Sequence, residues 1–137
     1  MRRAVALFCL AFASACGSTA PDKSIEGSYD LVTVDGQPLP YRSTFLDITS
    51  SIVTASLESG LLIVSPTGDF SLRSSGTQTF GSGTPLTFSS TMNGTWTAVG
   101  STLTLSFYDP PRATDATYSG GSLTHTEGGR TYVYRRD

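Results

Sequence analysis

The segment TLTLSFY, residues 102–108, decides the fold class of this chain. Its apolar side chains are Leu103, Leu105 and Phe107, and they alternate with hydroxyl side chains that include Thr102 and Thr104. Successive side chains of a β-strand point to opposite faces of the sheet, so this alternation is typical of a half-buried strand. We expect the apolar set to be buried and the two threonines to be largely exposed.

The same alternation recurs through the rest of the chain. The candidate strands are residues 25–34, 52–57, 61–65, 70–73, 87–99, 114–118, 122–126 and 130–135, with 45–48 as a weaker candidate. Beyond residue 25 the chain is rich in Thr, Ser, Gly, Val and aromatic residues, which favour strands, and no stretch repeats apolar residues at helical spacing for three turns. The sequence therefore predicts an all-β domain of eight to nine strands.

Short turn sequences separate most of these strands. Residues 65–69 read SPTGD, and glycine pairs stand at 120–121 and 128–129. Such tight links favour antiparallel neighbours in chain order. Asn93-Gly94 allows two interpretations, a hairpin turn or one continuous strand with a kink or bulge at Gly94, and we favour the continuous strand.

Sheet edges decide between a closed barrel and a sandwich. A meander leaves its first and last strands with unpaired backbone groups, and this chain has few lysines to guard them. Closure removes both edges. The sequence thus predicts a single antiparallel up-and-down barrel in which residues 25–34 pair with residues 130–135.

The N-terminus has the layout of a secretory signal. Arg2 and Arg3 precede an apolar run at residues 4–13, and small residues lead to Cys16. Two processing routes fit: ordinary cleavage after Ala15, or a lipobox in which Cys16 becomes the first residue and carries a lipid. Cys9 lies in the apolar run and leaves with it, so lipidation explains the single remaining thiol.

These features divide the chain into three parts. We expect a cleaved lipoprotein signal peptide over residues 1–15, the lipidated cysteine and a tether over 16–24, and the barrel domain over 25–137. The expected location is the cell envelope, lipid-anchored and facing the periplasm. The outer membrane is preferred because Gly17, and no aspartate, follows Cys16.

Charge and reactive side chains narrow the functional classes. Removing Arg2 and Arg3 with the signal leaves a mildly acidic chain without a basic cluster, which argues against a nucleic-acid partner. His125 is the single histidine, and with Glu127 it could supply two ligands to a metal, but a third is missing. A lone surface imidazole is the preferred interpretation. With no nucleophile elbow in the sequence, we expect no enzyme, no metal and no cofactor.

The opening strand carries a resemblance to a known family. Residues 25–34 read IEGSYDLVTV and lead into Asp35-Gly36 and a Pro-Leu-Pro segment at 38–40. This resembles the start of the small lipocalin-like domains of bacterial lipoproteins, and the closing TYVYRR at 131–136 and the internal Gly94-Thr95-Trp96 also suit that family.

The resemblance implies a plug at one end of the barrel. By analogy, Gly27 and Tyr29 supply the strand glycine and the plugging aromatic ring, and Arg136 or Arg135 lies across it. An arginine plane can cover a ring while its charge stays near water. The alternative is that Tyr29 is ordinary core and both arginines are solvated.

Aromatic residues leave two possibilities for the barrel interior. The candidate ligand-lining residues are Trp96, Phe107, Tyr118, Tyr132 and Tyr134. Aromatics can line a ligand cavity or simply fill the barrel, and an eight-stranded barrel is only just wide enough for its own side chains, which favours filling.

Two functional hypotheses follow. The first is a non-enzymatic envelope lipoprotein whose lipocalin-like barrel binds a small apolar or amphiphilic molecule. The second is a structural or protein-interaction lipoprotein with a solid barrel and an envelope protein as its partner. A cavity lined by aromatic residues would favour the first hypothesis.

Overall fold

Period-two patterning produces ten strands in the computed structural model of the protein, which describes residues 24–137. None of the elements in this range is a helix, so none is a helix that could span a bilayer. The strands are β1 (Gly27–Val34), β2 (Gln37–Pro38), β3 (Tyr41–Leu46), β4 (Ile52–Val64), β5 (Asp69–Phe80), β6 (Leu86–Val99), β7 (Thr102–Phe107), β8 (Arg112–Ser119), β9 (Ser122–Glu127) and β10 (Arg130–Arg136).

Eight of these strands close into an antiparallel barrel. Strands β4 to β10 follow one another as an up-and-down meander, and β1 lies between β10 and β4. Short β2 pairs with the end of β1, and β3 pairs with the first half of β4. The predicted all-β antiparallel barrel is confirmed, as is the pairing of the first and last strands.

The strands β4 and β5 are longer than the sequence pattern predicts. The separate strands expected at 52–57 and 61–65 are one strand, with a register shift between Leu57 and Ser59. The serine- and glycine-rich middle of β4 breaks the apolar alternation without breaking the ladder. Ser59 and Ser75 join their hydroxyls across the two strands at 2.7 Å. The weak candidate at 45–48 lies partly in β3.

Gly94 lies within one continuous strand, as expected, but not at a bulge. Strand β6 pairs with β5 in unbroken register from Leu86 to Thr95. The glycine is needed for close approach instead, because a Cβ there would lie 2.0 Å from the carbonyl oxygen of Ser106 and 2.6 Å from the Phe70 ring. The predicted bulge is therefore wrong.

The burial of β7 follows the predicted faces. Leu103 and Leu105 are completely buried and Phe107 is 4% exposed, whereas Thr102 is exposed. Thr104 is only half-buried, since it lies against β8 and donates a hydrogen bond to Asp115 at 2.7 Å. The sequence therefore predicted the faces correctly and overestimated the exposure of Thr104.

The barrel has a closed end and an open mouth. At the closed end, Gly27 of β1 pairs with Val64 of β4. Strand β4 runs 13 residues away from this end, about 40 Å at roughly 3.3 Å per residue. Because β7 reaches only to Gly94 of β6, the outer halves of β3 to β6 stand above the rest of the barrel as a tall wall on one side of the mouth.

Candidate functional site

A cavity of about 220 Å³ opens at the mouth of the barrel. Apolar and aromatic side chains line it mainly from β3 to β6, and polar or ionisable side chains line it from β9 and β10. The first set includes Tyr41, Ala55, Leu57, Leu72, Phe88 and Met92, and the second comprises His125, Glu127, Arg130, Tyr132 and Tyr134. The cavity is therefore amphipathic, with one mainly apolar wall and one wall of polar or ionisable side chains.

His125 is a buried residue of this cavity. It is 4% exposed, and its ring stacks on those of Tyr132 and Tyr134 at centroid distances of 5.0 and 5.7 Å. The prediction of a surface imidazole is wrong, because His125 has the same parity as buried Leu123 on β9 and points into the barrel with it.

A charged pair lies beside the imidazole. Arg112 Nε donates to Glu127 Oε1 at 2.5 Å, and Glu127 Oε2 lies 4.0 Å from His125 Nε2. Burial lowers the pKa of His125, an effect that Glu127 opposes and Arg112 reinforces. The imidazole is thus neutral at physiological pH. Over residues 24–137 no third acidic, histidine or cysteine side chain completes a metal site.

The lowered pKa of His125 predicts a specific pH dependence of stability. Below about pH 6.5 the unfolded imidazole takes up a proton that the folded one resists, so the free energy of unfolding should fall as the pH decreases. We expect His125→Phe, which keeps an aromatic ring in the stack, to lose this part of the pH dependence. Urea denaturation of both proteins between about pH 7 and 5 measures the difference. Equal pH slopes would contradict the buried neutral imidazole.

The closed end brings together the residues assigned to the plug. Arg136 Cζ lies 5.1 Å from the centre of the Tyr29 ring, which is completely buried, and Nη2 donates to the Tyr29 hydroxyl at 2.7 Å. The same nitrogen donates to the carbonyl of Glu26 at 2.6 Å. Of the two candidate arginines, Arg136 covers the ring, and Arg135 is exposed.

Both the backbone conformation and the available space require a glycine at position 27. Its φ of 147° lies in a region that residues with a Cβ rarely adopt. A Cβ at this position would also lie 3.2 Å from Nε of Arg136, an atom that is buried without a hydrogen-bond partner. The glycine thus gives the guanidinium room to lie across the barrel end.

The five candidate ligand-lining residues are divided between different regions. Tyr132 and Tyr134 line the cavity, and the other three do not. Trp96 donates from Nε1 to the carbonyl of Ser65 at 2.8 Å near the closed end, and the Tyr118 ring meets that of Tyr29 edge-on at 6.4 Å.

Phe107, the last of the five, is part of the packed core. Its ring meets that of Phe70 edge-on at 5.0 Å, and Arg112 Cζ lies 4.0 Å above it. The apolar cavity residues that sequence reasoning missed, Leu57, Phe88 and Met92, lie on the long strands β4 and β6. On β6 the parity was a usable signal, since Phe88 and Met92 share that of buried Gly94. Leu57 gave no such signal, because the register shift after it changes the parity of the inward side chains of β4.

Comparisons with known proteins add no assignment. Comparison of this chain with protein-family models, with curated proteins and with solved structures finds no significant match.

Proposed function

We propose that this protein is a non-enzymatic envelope lipoprotein whose barrel binds a small apolar or amphiphilic molecule at its mouth. The observation that carries the proposal is the amphipathic cavity, in which an apolar wall faces the buried imidazole of His125. A ligand with a polar atom near His125 and an apolar part against Leu57 and Phe88 would satisfy both walls.

The cavity volume limits the size of the bound part. Ligand pockets are usually about 300–1,000 Å³, and this one is about 220 Å³. The barrel below it is filled by completely buried side chains such as Tyr29, Leu62, Leu105 and Leu123. The fitting ligand is therefore a small molecule, or one arm of a larger amphiphile whose remainder lies along the tall wall.

The sequence supports the lipoprotein part of the proposal. Cys16 and the signal peptide lie outside residues 24–137, so the support is the pattern of residues 1–16 alone. The described chain begins at the closed end, where Arg136 Nη2 donates to the carbonyl of Ser24. A membrane anchor on the preceding residues would therefore attach at the end opposite the mouth, so the anchor itself would not cover the cavity.

Filling the cavity should weaken ligand binding strongly without unfolding the barrel. The side chain of Ala55 lines the cavity, whereas that of its neighbour Thr54 is exposed on the outer face. We expect Ala55→Phe to weaken binding of the uncharged fluorescent probe N-phenyl-1-naphthylamine by at least about 10-fold, a loss of about 1.4 kcal/mol. The matched control Thr54→Phe should leave the titration almost unchanged.

The same titration separates the two hypotheses. Saturable one-site binding to the wild-type chain and its loss in Ala55→Phe support the binding module. If the wild-type chain does not bind the probe, or if both variants bind it like wild type, the cavity is not the binding site. The structural or protein-interaction alternative is then preferred. Thermal melts of all three proteins verify that the variants fold.

A further inference from the structure

Six large apolar side chains are exposed together at the far end of the tall wall. They lie at the tips of the β3–β4 and β5–β6 hairpins, and we call them the tip patch: Phe45, Leu46, Ile48, Ile52, Phe80 and Leu86. Ile48 is fully exposed, and Leu46, Leu86 and Ile52 are each more than half exposed. A contiguous exposed apolar patch of this kind marks an interaction site in a stable protein.

Strand register makes the patch continuous. Leu46 pairs with Ile52, and Val53 pairs with both Phe45 and Phe80 in the next rung. Gly81 N donates to the carbonyl of Ile52 at 2.7 Å, which joins the two hairpins at their tips. The two adjacent tips are therefore apolar on both faces of the sheet, with Leu46 and Ile52 on the outer face and Phe45 and Phe80 on the inner face.

We propose that the tip patch docks the barrel onto a lipid bilayer. The first support is the lack of an unpaired charge: Asp47 is the single charged residue among 44–53 and 79–87. Its carboxylate accepts hydrogen bonds from the backbone N–H groups of Thr49 and Ser51 at 2.8 and 2.9 Å, and from the Thr49 hydroxyl at 2.7 Å. The charge is thus already satisfied within its own turn.

The backbone of both tips is also hydrogen-bonded internally. Ser50 N donates to the carbonyl of Asp47 and Asp47 N to that of Ser51, each at 3.0 Å. On the second tip, Gly83 N donates to the carbonyl of Phe80 at 2.9 Å. Unpaired backbone groups are costly in the apolar part of a bilayer, and these turns avoid that cost.

The shape and chemistry of the patch favour lipid over a protein. Specific protein interfaces bury about 800 Å² per partner and surround an apolar centre with a polar, hydrogen-bonding rim. Two narrow hairpin tips without a charged rim offer no such surface. Narrow, uncharged tips can instead insert among the lipid headgroups at the bilayer surface. Because the patch carries no net positive charge, docking should not require anionic lipid and should not weaken with salt.

The patch and the cavity mouth lie at the same end of the barrel. The inward face of the tall wall runs from Leu57 and Phe88, which line the cavity, through Ala55 and Leu86 to Phe45 and Phe80 of the tip. A docked tip would place the mouth next to the bilayer, so a membrane amphiphile could enter along this face. The entry of an amphiphile rests on the proposed function, whereas docking itself does not.

The test places a fluorescent reporter at each end of β4. Ile48→Trp puts tryptophan at the tip, and the control Thr67→Trp puts it at the exposed turn at the opposite end. Both proteins begin at residue 16 and carry Cys16→Ser, so that neither an attached lipid nor the apolar run at residues 4–13 contributes. With vesicles of brominated phosphatidylcholine, which is zwitterionic, we expect the fluorescence of Ile48→Trp to shift to the blue and to be quenched. The tryptophan of Thr67→Trp should show neither a shift of its emission nor quenching when vesicles are added. The same holds for native Trp96, which both proteins share.

A second variant tests the affinity. Ile48→Ser combined with Leu46→Ser changes only exposed side chains, so the fold should be retained. In the same Cys16→Ser background it should reduce cosedimentation with these vesicles at least about 10-fold. It should bind N-phenyl-1-naphthylamine as the parent protein does. A failed docking result and a failed cavity result are therefore distinguishable.

Several outcomes would overturn the docking proposal. These are an unquenched tryptophan at position 48, equal quenching at position 67, or binding that requires anionic lipid. Concentration-dependent dimerisation that the serine variant abolishes, without vesicle binding, would instead identify a second copy of the chain as the occupant of the patch.

Discussion

Deleting residues 131–137 is expected to unfold the whole domain rather than fray one end. These residues form nearly all of β10, which pairs with β1 on one side and β9 on the other. Without them β1 retains only short β2 and the four-residue pairing of Gly27–Asp30 with β4. The deletion also removes Tyr134 from the core and Arg136 from the closed end. The loss should exceed the total stability of a domain of this size, which is about 5–15 kcal/mol.

Circular dichroism and thermal melting measure this effect directly. The truncated chain should show no cooperative transition, whereas the control Arg135→Ser, a change at an exposed position of the same strand, should melt within a few degrees of wild type. A truncated protein that keeps a cooperative melt close to that of the full chain would show that β1 does not depend on closure through β10.

Local pattern predicted the barrel because its strands alternate in the segments that matter most for closure. Residues 102–107 and the inward residues of β10 have a clear apolar parity, as does β1 up to the register shift that follows Leu31. The glycine pairs of the β8–β9 and β9–β10 links have the positive φ values that tight hairpins need. The lengths of β4 and β5 were not predictable in this way. Their central serines and glycines are held by cross-strand pairing rather than by their own preference, and pairing depends on residues far away in the chain.

The candidate site was harder to predict from the sequence than the fold, for the same reason. Tyr29 and Arg136 pair across β1 and β10, so a correct prediction of first-to-last strand pairing already implies their proximity. The cavity depends instead on how far β3 to β6 extend past β7, a register property that no local motif encodes. His125 had a usable signal, since it shares the parity of Leu123, but a lone polar residue in a strand is more often at the surface than in a cavity.

The two ends of the barrel are physically different, and this asymmetry organises the proposals. At the closed end, a guanidinium and a buried tyrosine exclude a ligand and bind the start of the described chain through carbonyls of residues 24 and 26. At the mouth, the imidazole of His125 and the apolar wall enclose a cavity of about 220 Å³. An anchor near the closed end would keep the chain at a membrane without occluding the mouth, so the two proposed activities do not compete for one surface.

Replacing Cys16 with serine is expected to abolish attachment to the membrane through a lipid at this position. The argument rests on the order of residues in the sequence: the apolar run at 4–13 is too short to span a bilayer, and Ala13-Ser14-Ala15 directly precedes Cys16. Since thioether lipidation of the cysteine precedes cleavage in lipoprotein processing, the Cys16→Ser chain should either remain uncleaved at 137 residues or appear as a soluble periplasmic form.

Cys9 provides the matched control for this experiment. It is the other cysteine of the chain and lies inside the apolar run, so Cys9→Ser should leave processing and attachment unchanged. Detergent-phase partitioning measures the three proteins side by side, and intact mass of the detergent-phase form identifies the acyl groups on Cys16. Wild-type and Cys9→Ser chains should enter the detergent phase, because acyl chains contribute about 0.8 kcal/mol for each buried CH₂ group. A wild-type chain found wholly in the aqueous phase, at the mass expected for cleavage after Ala15, would show that the signal is an ordinary secretory one.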